Sequence, residues 1–341
     1  MREPPFWWRD AGIAARLLAP LGAVYGAVSG WRLARKGERA GAPIVCIGNP
    51  TVGGAGKTPL ALAVAQMLEA AGEQPAFLSR GYGGRLAGPV RVDPTLHRAA
   101  DVGDEPLLLA RVAPTIVARD RVAGARAALA AGAGVIVMDD GFQNPSLAKD
   151  FSVLVVDARR GIGNGRVIPA GPLRAPLKAQ LVRAQALVVV GAYLKAAVIA
   201  DDMRARGLPV FHARLEPDAS VVAAIGGGRV LAFAGIGDPE KFFATLNAAG
   251  VTVAATQSFA DHDAYTRAEA KDLCRHADRE GLVLVTTEKD LARMQGDGAL
   301  AELAARAQAL PVRLVLDDEA AFRKLLMGKL APARAAPADM Q

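Results

Sequence analysis

The chain has 341 residues, 52% apolar and 22% charged, which excludes a disordered protein and leaves room for two α/β units or one large one. Lys and Arg outnumber Asp and Glu by 41 to 34, a formal charge of +7. That excess suits an anionic partner such as a nucleotide, a phosphorylated lipid or a membrane surface, whereas no basic run with interleaved aromatics points to nucleic acid. Cys46 and Cys274 lie far apart, and no two of His97, His212, His262 and His276 stand at metal-ligand spacing. A disulfide framework or zinc site is therefore not expected, and the compartment reads as reducing.

Residues 11–31 are mostly apolar, interrupted by Arg16 and Pro20, with Trp7 and Trp8 before them and Arg32, Arg35 and Lys36 after. A helix of that length is about 30 Å long, enough to reach across a bilayer. Its apolar residues are largely Ala and Gly, and Pro20 would kink it. Tryptophans and cations at the ends belong to the headgroup zone. Residues 1–36 are read as a membrane-associated helical segment, peripheral or shallowly inserted. A bilayer span and an ordinary helix packed on the next unit stay open, while Pro4, Pro5 and the Trp pair make a poor secretory leader.

Residues 43–47 read as a short buried strand, followed by a Gly-rich turn and a helix opening at Thr58-Pro59, where Pro fits the first turn. Strand-like runs recur at 75–78, 115–117, 135–138, 153–156 and 186–190, with helical stretches such as 121–131 between them. Apolar strands alternating with helices predict a mostly parallel sheet covered on both faces, here over 37–207. Residues 208–229 break into short extended pieces ending in three glycines and read as a linker. A smaller α/β unit is expected over 230–331, with strands at 230–234, 252–255, 282–286 and 312–316 and helices at 239–249, 267–280 and 319–330. Thr266 and Glu269 form a capping box for the middle helix. Residues 332–341, rich in Ala and Pro, read as a disordered tail.

Between the first strand and its helix lies Thr51-Val52-Gly53-Gly54-Ala55-Gly56-Lys57-Thr58, a Walker A phosphate loop with Thr51 in place of the first Gly. The glycines let backbone N–H groups turn toward phosphate oxygens, and the helix N-terminus adds positive potential. Lys57 would reach the β- and γ-phosphates and Thr58 would ligate Mg²⁺. The strand 135–138 delivers Asp139 and Asp140 to its C-terminal end, where open α/β sheets bind ligands. One of these acids, Asp139 first, can hold Mg²⁺ as a Walker B aspartate does. Asp140 can equally be a turn former before Gly141.

The sequence resembles the tetraacyldisaccharide 4'-kinase family. The matching segments are IGNPTVGGAGKTP (47–59), SRGYG (79–83), VGDEPLLLA (102–110), DDGFQ (139–143), GNGRVIPAGPLR (163–174), AFAGIGDP (232–239), FADHDAYT (259–266) and TTEKD (286–290). The resemblance implies transfer of the ATP γ-phosphate to the 4'-hydroxyl of a tetraacylated glucosamine disaccharide 1-phosphate, giving lipid IVA. It also implies two α/β/α units joined by a two-stranded linker. Departures occur at Asn144, where the family usually has His, at Ala175, where it usually has Glu, and at Asp238 in GIGDP, where Asn is more common.

A sugar hydroxyl is a poor nucleophile, so a kinase must align it and accept its proton. The resemblance puts Asp104 in that role with His262 as its partner, which requires the second unit to close over the first. Asp104 and Glu105 can also cap a helix opening at Pro106. Arg80, Arg121 and Arg174 are candidates for substrate phosphates, since a guanidinium makes forked phosphate contacts. Residues 287–290 read as a helix start, with nucleotide contact as the alternative. An acylated disaccharide rarely leaves the bilayer, because each exposed CH₂ costs about 0.8 kcal/mol. The enzyme is thus expected at the cytoplasmic face of a bacterial inner membrane, with no obligate protein partner evident. The rival reading is a P-loop GTPase or metallochaperone-type switch, but no guanine-reading N-K-x-D motif is present.

Overall fold

The computed structural model describes residues 3–192, 194–261 and 263–335. Its strands are β1 (Ile44–Gly48), β2 (Pro75–Ser79), β3 (Val90–Arg91), β4 (Thr115–Val117), β5 (Val135–Asp139), β6 (Phe151–Asp157), β7 (Ala186–Val190), β8 (Val210–Pro217), β9 (Val230–Ala234), β10 (Val253–Ser258), β11 (Val283–Thr287), β12 (Gln308–Leu310) and β13 (Val312–Leu316). A nine-stranded sheet runs β13-β8-β7-β6-β1-β5-β2-β4-β3. Neighbours from β8 to β4 are parallel, and the edge strands β13 and β3 are antiparallel to theirs.

The strands at the centre are apolar up to Asp139, the last residue of β5, because both faces are covered. Alternate side chains go to opposite layers. Val45 and Ile47 meet the helix Lys57–Ala70 through Leu60, Val64 and Leu68, and the same cluster takes in Phe322, Leu326 and Leu330 of the helix Glu319–Ala335. Ile44 and Cys46 share the opposite cluster with the helices Arg121–Ala130 and Ala197–Ala205, through Ala125, Ala128, Ile199 and Met203. This is the mostly parallel, doubly covered α/β sandwich expected. The chain lays β2, β4 and β5 on one side of β1 and β6, β7 and β8 on the other, so the order reverses at β1. The crevice outside the C-terminal ends of these strands is where such sheets bind ligands.

A second sheet, β10-β9-β11-β12, is parallel throughout. It carries the helix Arg267–Glu280 on one face and the helix Pro239–Ala248 on the other. The predicted capping box is present, with Glu269 accepting from the Thr266 N–H at 2.8 Å and Thr266 accepting from the Glu269 N–H at 3.2 Å.

Three segments sit elsewhere than the pattern places them. Residues 312–316 do not join the second sheet: as β13 they pair antiparallel with β8 on the large one. The following helix covers the large sheet too, with the Phe322 ring 6.2 Å from Phe151 and 5.1 Å from Phe211. That helix continues through Pro332 to Ala335, into the stretch read as a disordered tail, of which 336–341 lie outside the described residues. Residues 208–229 are not merely extended, since β8 is followed by a helix, Ala219–Ile225, capped by Asp218. Hydrophobic periodicity shows that a segment buries one face but not which sheet receives it.

The N-terminal segment is broken rather than kinked. A short turn, Pro5–Trp8, precedes the helices Ile13–Leu17 and Ala19–Ala34, and Pro20 lies in the first turn of the second, where its missing N–H costs nothing. Among the described residues no helix is long and apolar enough to cross a membrane.

Candidate active site

The loop between β1 and the helix Lys57–Ala70 is shaped by backbone. Gly53 (φ 94°) and Gly56 (φ 95°) take the left-handed conformation that side chains disfavour. A second segment braces the loop from outside. Thr51 bridges Leu173, the Val52 N–H donates to Pro172 O at 2.9 Å, and Arg174 Nε donates to Thr51 O at 2.9 Å. Just past β1, Asn49 Nδ2 donates to Gly53 O at 3.0 Å. A Cβ on Gly54 would meet nothing within 4 Å, and Ala55 is buried.

Lys57 and Thr58 open the helix and both are buried. Lys57 Nζ stands 3.4 Å from Gly53 O and 3.9 Å from Asp140 Oδ2. Burial lowers its pKa, with Asp140 pulling the other way. Thr58 Oγ1 donates to Asp139 Oδ2 at 3.0 Å. Asp139 closes β5, and its Oδ1 is buried without a hydrogen-bond partner. Burial, reinforced by Glu105, pushes the Asp139 carboxyl up to about 7.

Asp140 behaves in the opposite way. It adopts a left-handed backbone (φ 53°), which Asp tolerates better than most residues, and this turns its carboxylate to Lys57 and Arg174. Burial works against its charge, but Arg174 Nη1 at 2.6 Å and Lys57 outweigh it and hold the group well below the usual carboxylate range. Two adjacent acids thus have pKa values driven apart by their surroundings, the pattern that a candidate site for acid and metal chemistry shares.

Asp104 is the first residue of the helix Asp104–Leu109 and is buried. Its Oδ1 accepts from the Glu105 N–H at 2.8 Å, so it caps the turn locally as the sequence allowed. Its Oδ2 lies 2.9 Å from Arg293 Nε, on the helix Glu288–Met294 of the second unit. Beside it Lys289 Nζ pairs with Glu105 Oε1 at 2.5 Å. Burial opposes the Lys289 charge, but Glu105 and Asp104 raise its pKa on balance. The helix Asp104–Leu109 packs beside the helix Lys57–Ala70 that follows the phosphate loop. His262, the expected partner of Asp104, lies outside the described residues.

The candidate substrate arginines differ. Arg80 is exposed, just past β2. Arg121 is buried, donates through Nη1 to Ala118 O, and leaves its Nε without a partner. Burial and the neighbouring Arg80 lower its pKa to about 10. Arg174 faces the loop and Asp140. Asn144, at the departure from the family pattern, accepts from the Ser146 N–H at 2.9 Å and hydroxyl at 2.6 Å in a local turn, and Ala175 is buried.

Sequence reasoning missed several groups. Arg293 meets Asp104 from the second unit, with Asp290 behind it, and Lys241 pairs with Asp157 at 2.5 Å. Arg160 pairs with Glu3 at 2.7 Å and Asp238 at 3.3 Å and stacks on Trp8. The loop 235–238 comes so close that a Cβ on Gly237 would lie 3.4 Å from the Gly54 nitrogen. The one local signal was the i, i+3 spacing of Asp290 and Arg293 on a helix whose start, Thr287, was legible.

The sequence profile of the tetraacyldisaccharide-1-P 4'-kinase family matches residues 14–331. The chain belongs to this family. It is 55% identical over 334 residues to the tetraacyldisaccharide 4'-kinase of Nitrobacter winogradskyi, covering 98% of this chain and 99% of that one. The corresponding protein of Methylobacterium sp. (strain 4-46) is 56% identical over 339 residues, covering 99% and 100%. Among solved structures, LpxK from Aquifex aeolicus in complex with ATP is similar with a TM-score of 0.71 and 27% identity, over 93% of this chain and all of that one. As a member of the 4'-kinase family the chain is a P-loop kinase of lipid A biosynthesis, and the GTPase-type switch reading is not favoured.

Proposed function

We propose that this chain transfers the γ-phosphate of ATP to the 4'-hydroxyl of a tetraacylated glucosamine disaccharide 1-phosphate, at the cytoplasmic face of the inner membrane. The observation that carries the reading is the convergence of Lys57, Thr58 and Asp139 at the C-terminal ends of β1 and β5, with Asp104 on the adjoining turn. In this reading Thr51 to Thr58 cradle the triphosphate, and Lys57 neutralises charge on the β- and γ-phosphates. The acceptor oxygen attacks phosphorus, the bond from phosphorus to the β–γ bridging oxygen breaks, ADP leaves, and the hydroxyl proton passes to Asp104. Asp140 holds Lys57 and Arg174 in place through its low-pKa carboxylate. The exposed Arg80 and the buried, partly unsatisfied Arg121 supply a cationic wall for substrate phosphate.

Magnesium fits the residues present. Asp139 Oδ1 has no hydrogen-bond partner and the carboxyl is hard to ionise without a cation, while Thr58 Oγ1 lies on its other oxygen. Thr58 and Asp139 would hold Mg²⁺, which when bound neutralises phosphate charge.

The surface reading rests on the N-terminal helices. Ile13, Leu17, Leu21, Val24, Val28 and Trp31 follow a helical repeat and are 54–77% exposed. The opposite face carries Gly22, Gly26 and Gly30 against Val167 and Pro176, and a Cβ on Gly22 would lie 2.8 Å from Val167 O. The apolar ridge therefore points away from the protein while its back rests on the segment that braces the phosphate loop. A bilayer would bury that ridge and leave Arg16, Arg32, Arg35 and Lys36 for headgroups.

The test is incubation with γ-labelled ATP and the tetraacyl disaccharide 1-phosphate. Label in a bis-phosphorylated lipid is expected, and label released only as inorganic phosphate would refute the proposal.

A further inference from the structure

We propose that Arg293 is a positioning residue for phosphoryl transfer, orienting the Asp104 carboxylate from across the seam between the two units. The inference rests on the reading of Asp104 as the proton acceptor. Arg293 Nε is 2.9 Å from Asp104 Oδ2, and the two side chains are 7% and 3% exposed. At its other end Nη2 lies 3.3 Å from Asp290 Oδ1. Asp290 is itself immobilised: its carboxylate accepts from the Gly235 N–H at 3.0 Å, the Tyr265 hydroxyl at 2.7 Å and the Thr287 hydroxyl at 2.5 Å. Arg293 Nε and Nη2 make these contacts as close ion pairs without aligned hydrogen bonds, so the guanidinium is held from behind by the charge of Asp290 and presents its remaining edge to the first unit.

Arg293 also donates through Nη1 to Asp263 O at 3.3 Å, in the FADHDAYT segment. One side chain thus links three motifs far apart in the chain: the 102–110 turn, the 259–266 loop and the 286–290 helix start. Removing a guanidinium from between two buried carboxylates is more disruptive than its presence is stabilising, so such a group is better explained by the geometry it imposes than by stability. A proton acceptor in phosphoryl transfer needs that geometry, because a misplacement of about 1 Å can cost on the order of 10²-fold in rate. Closure of the second unit then does two things at once, covering the loop through Gly237 and aiming Asp104 through Arg293.

Steady-state kinetics on Arg293→Met, Arg293→Lys, Asp104→Asn and the control Arg111→Ala test this. Arg111 pairs with Glu288 across the same seam at 3.3 Å but is exposed. For Arg293→Met, kcat should fall about 10²-fold while KM for ATP moves less than about threefold, since a group acting on the transition state changes kcat and one acting on uniform binding changes KM. Arg293→Lys should recover part of kcat, millimolar guanidinium should restore part of it to Arg293→Met, and Arg111→Ala should stay near the parent. An unchanged kcat in Arg293→Met, or an equal loss in Arg111→Ala, overturns the proposal. If Arg293→Met does not fold, Arg293→Lys decides: it keeps the charge but not the fork, so a parental kcat overturns the proposal and a reduced one supports it. Parental turnover in Asp104→Asn would instead refute the proton-acceptor reading. Loss in Asp104→Asn with none in Arg293→Met would leave that reading standing and remove only this inference.

Discussion

The phosphate loop and the seam between the two sheets are built on opposite plans. The loop is one contiguous stretch whose shape comes from glycine backbone, a strand before it, a helix after it and a brace of backbone hydrogen bonds from 172–174. The seam is made of charged side chains from distant parts of the chain. Asp104 meets Arg293, Glu105 meets Lys289 at a separation of 184 residues, Asp157 meets Lys241, and Arg160 meets Asp238. A backbone cradle is preformed and binds with little rearrangement, whereas ion pairs can part and re-form as units move. Nucleotide binding should therefore depend on the loop alone, and transfer should depend on loop and seam together.

The largest expected effect would break that division if it failed. Asp104→Asn should lower kcat by roughly 10²–10⁴-fold, the usual contribution of a positioned base, with ATP affinity by calorimetry unchanged. A comparable loss of ATP affinity would move Asp104 out of the seam and into the binding site. Lys57→Ala should cost on the order of 10²–10³ in kcat and weaken ATP binding as well, because its charge serves ground state and transition state alike. Retained affinity in this variant would mean that backbone does all the binding.

The third prediction concerns pH. Burial holds the Asp139 carboxyl at about 7, against about 3.9 in an unfolded chain. The nucleotide-free fold thus prefers the neutral form, so this group's stabilisation is complete below the unfolded value and is lost as pH rises through 7. Thermal melts of Asp139→Asn between about pH 5 and 8 should decline less steeply than those of the parent. Parallel slopes would show that the carboxyl is not held neutral. The same variant should lose Mg-dependent transfer, an example of function set against stability.

The smallest effect on chemistry is expected at the N-terminal ridge. Leu17→Glu with Val24→Glu should abolish flotation with anionic vesicles, since each charge costs several kcal/mol to bury in lipid. Turnover on detergent-dispersed substrate should stay within about twofold of the parent, because neither side chain reaches the loop or the seam. Equal loss in vesicles and detergent would show that the ridge packs on protein instead.

Much of the site was legible before any fold was known. Residues 51–58 declare themselves because a phosphate loop is a local backbone device, with Gly53 and Gly56 needed for their left-handed dihedral angles. Asp139 and Asp140 follow from an apolar strand that ends in two acids. Their division of labour was not legible, since it depends on which one Arg174 approaches from 34 residues away. Arg293 was passed over for the same reason: at i+3 from Asp290 it reads as an ordinary helix-surface ion pair until the second unit is folded against Asp104.

The amino-acid sequence by itself settled the α/β class and the capped helix at Thr266 and pointed to the candidate nucleotide loop and acid pair, all of which rest on short-range rules of backbone geometry and periodicity. Only the tertiary structure decided that β13 and the last helix return to the large sheet, that the N-terminal apolar ridge faces outward, and that the second unit reaches Asp104 through Arg293. The reason is physical: an apolar stripe or a charge specifies that it needs a partner, and many partners would serve. Which one it meets is selected by the packing of the whole chain.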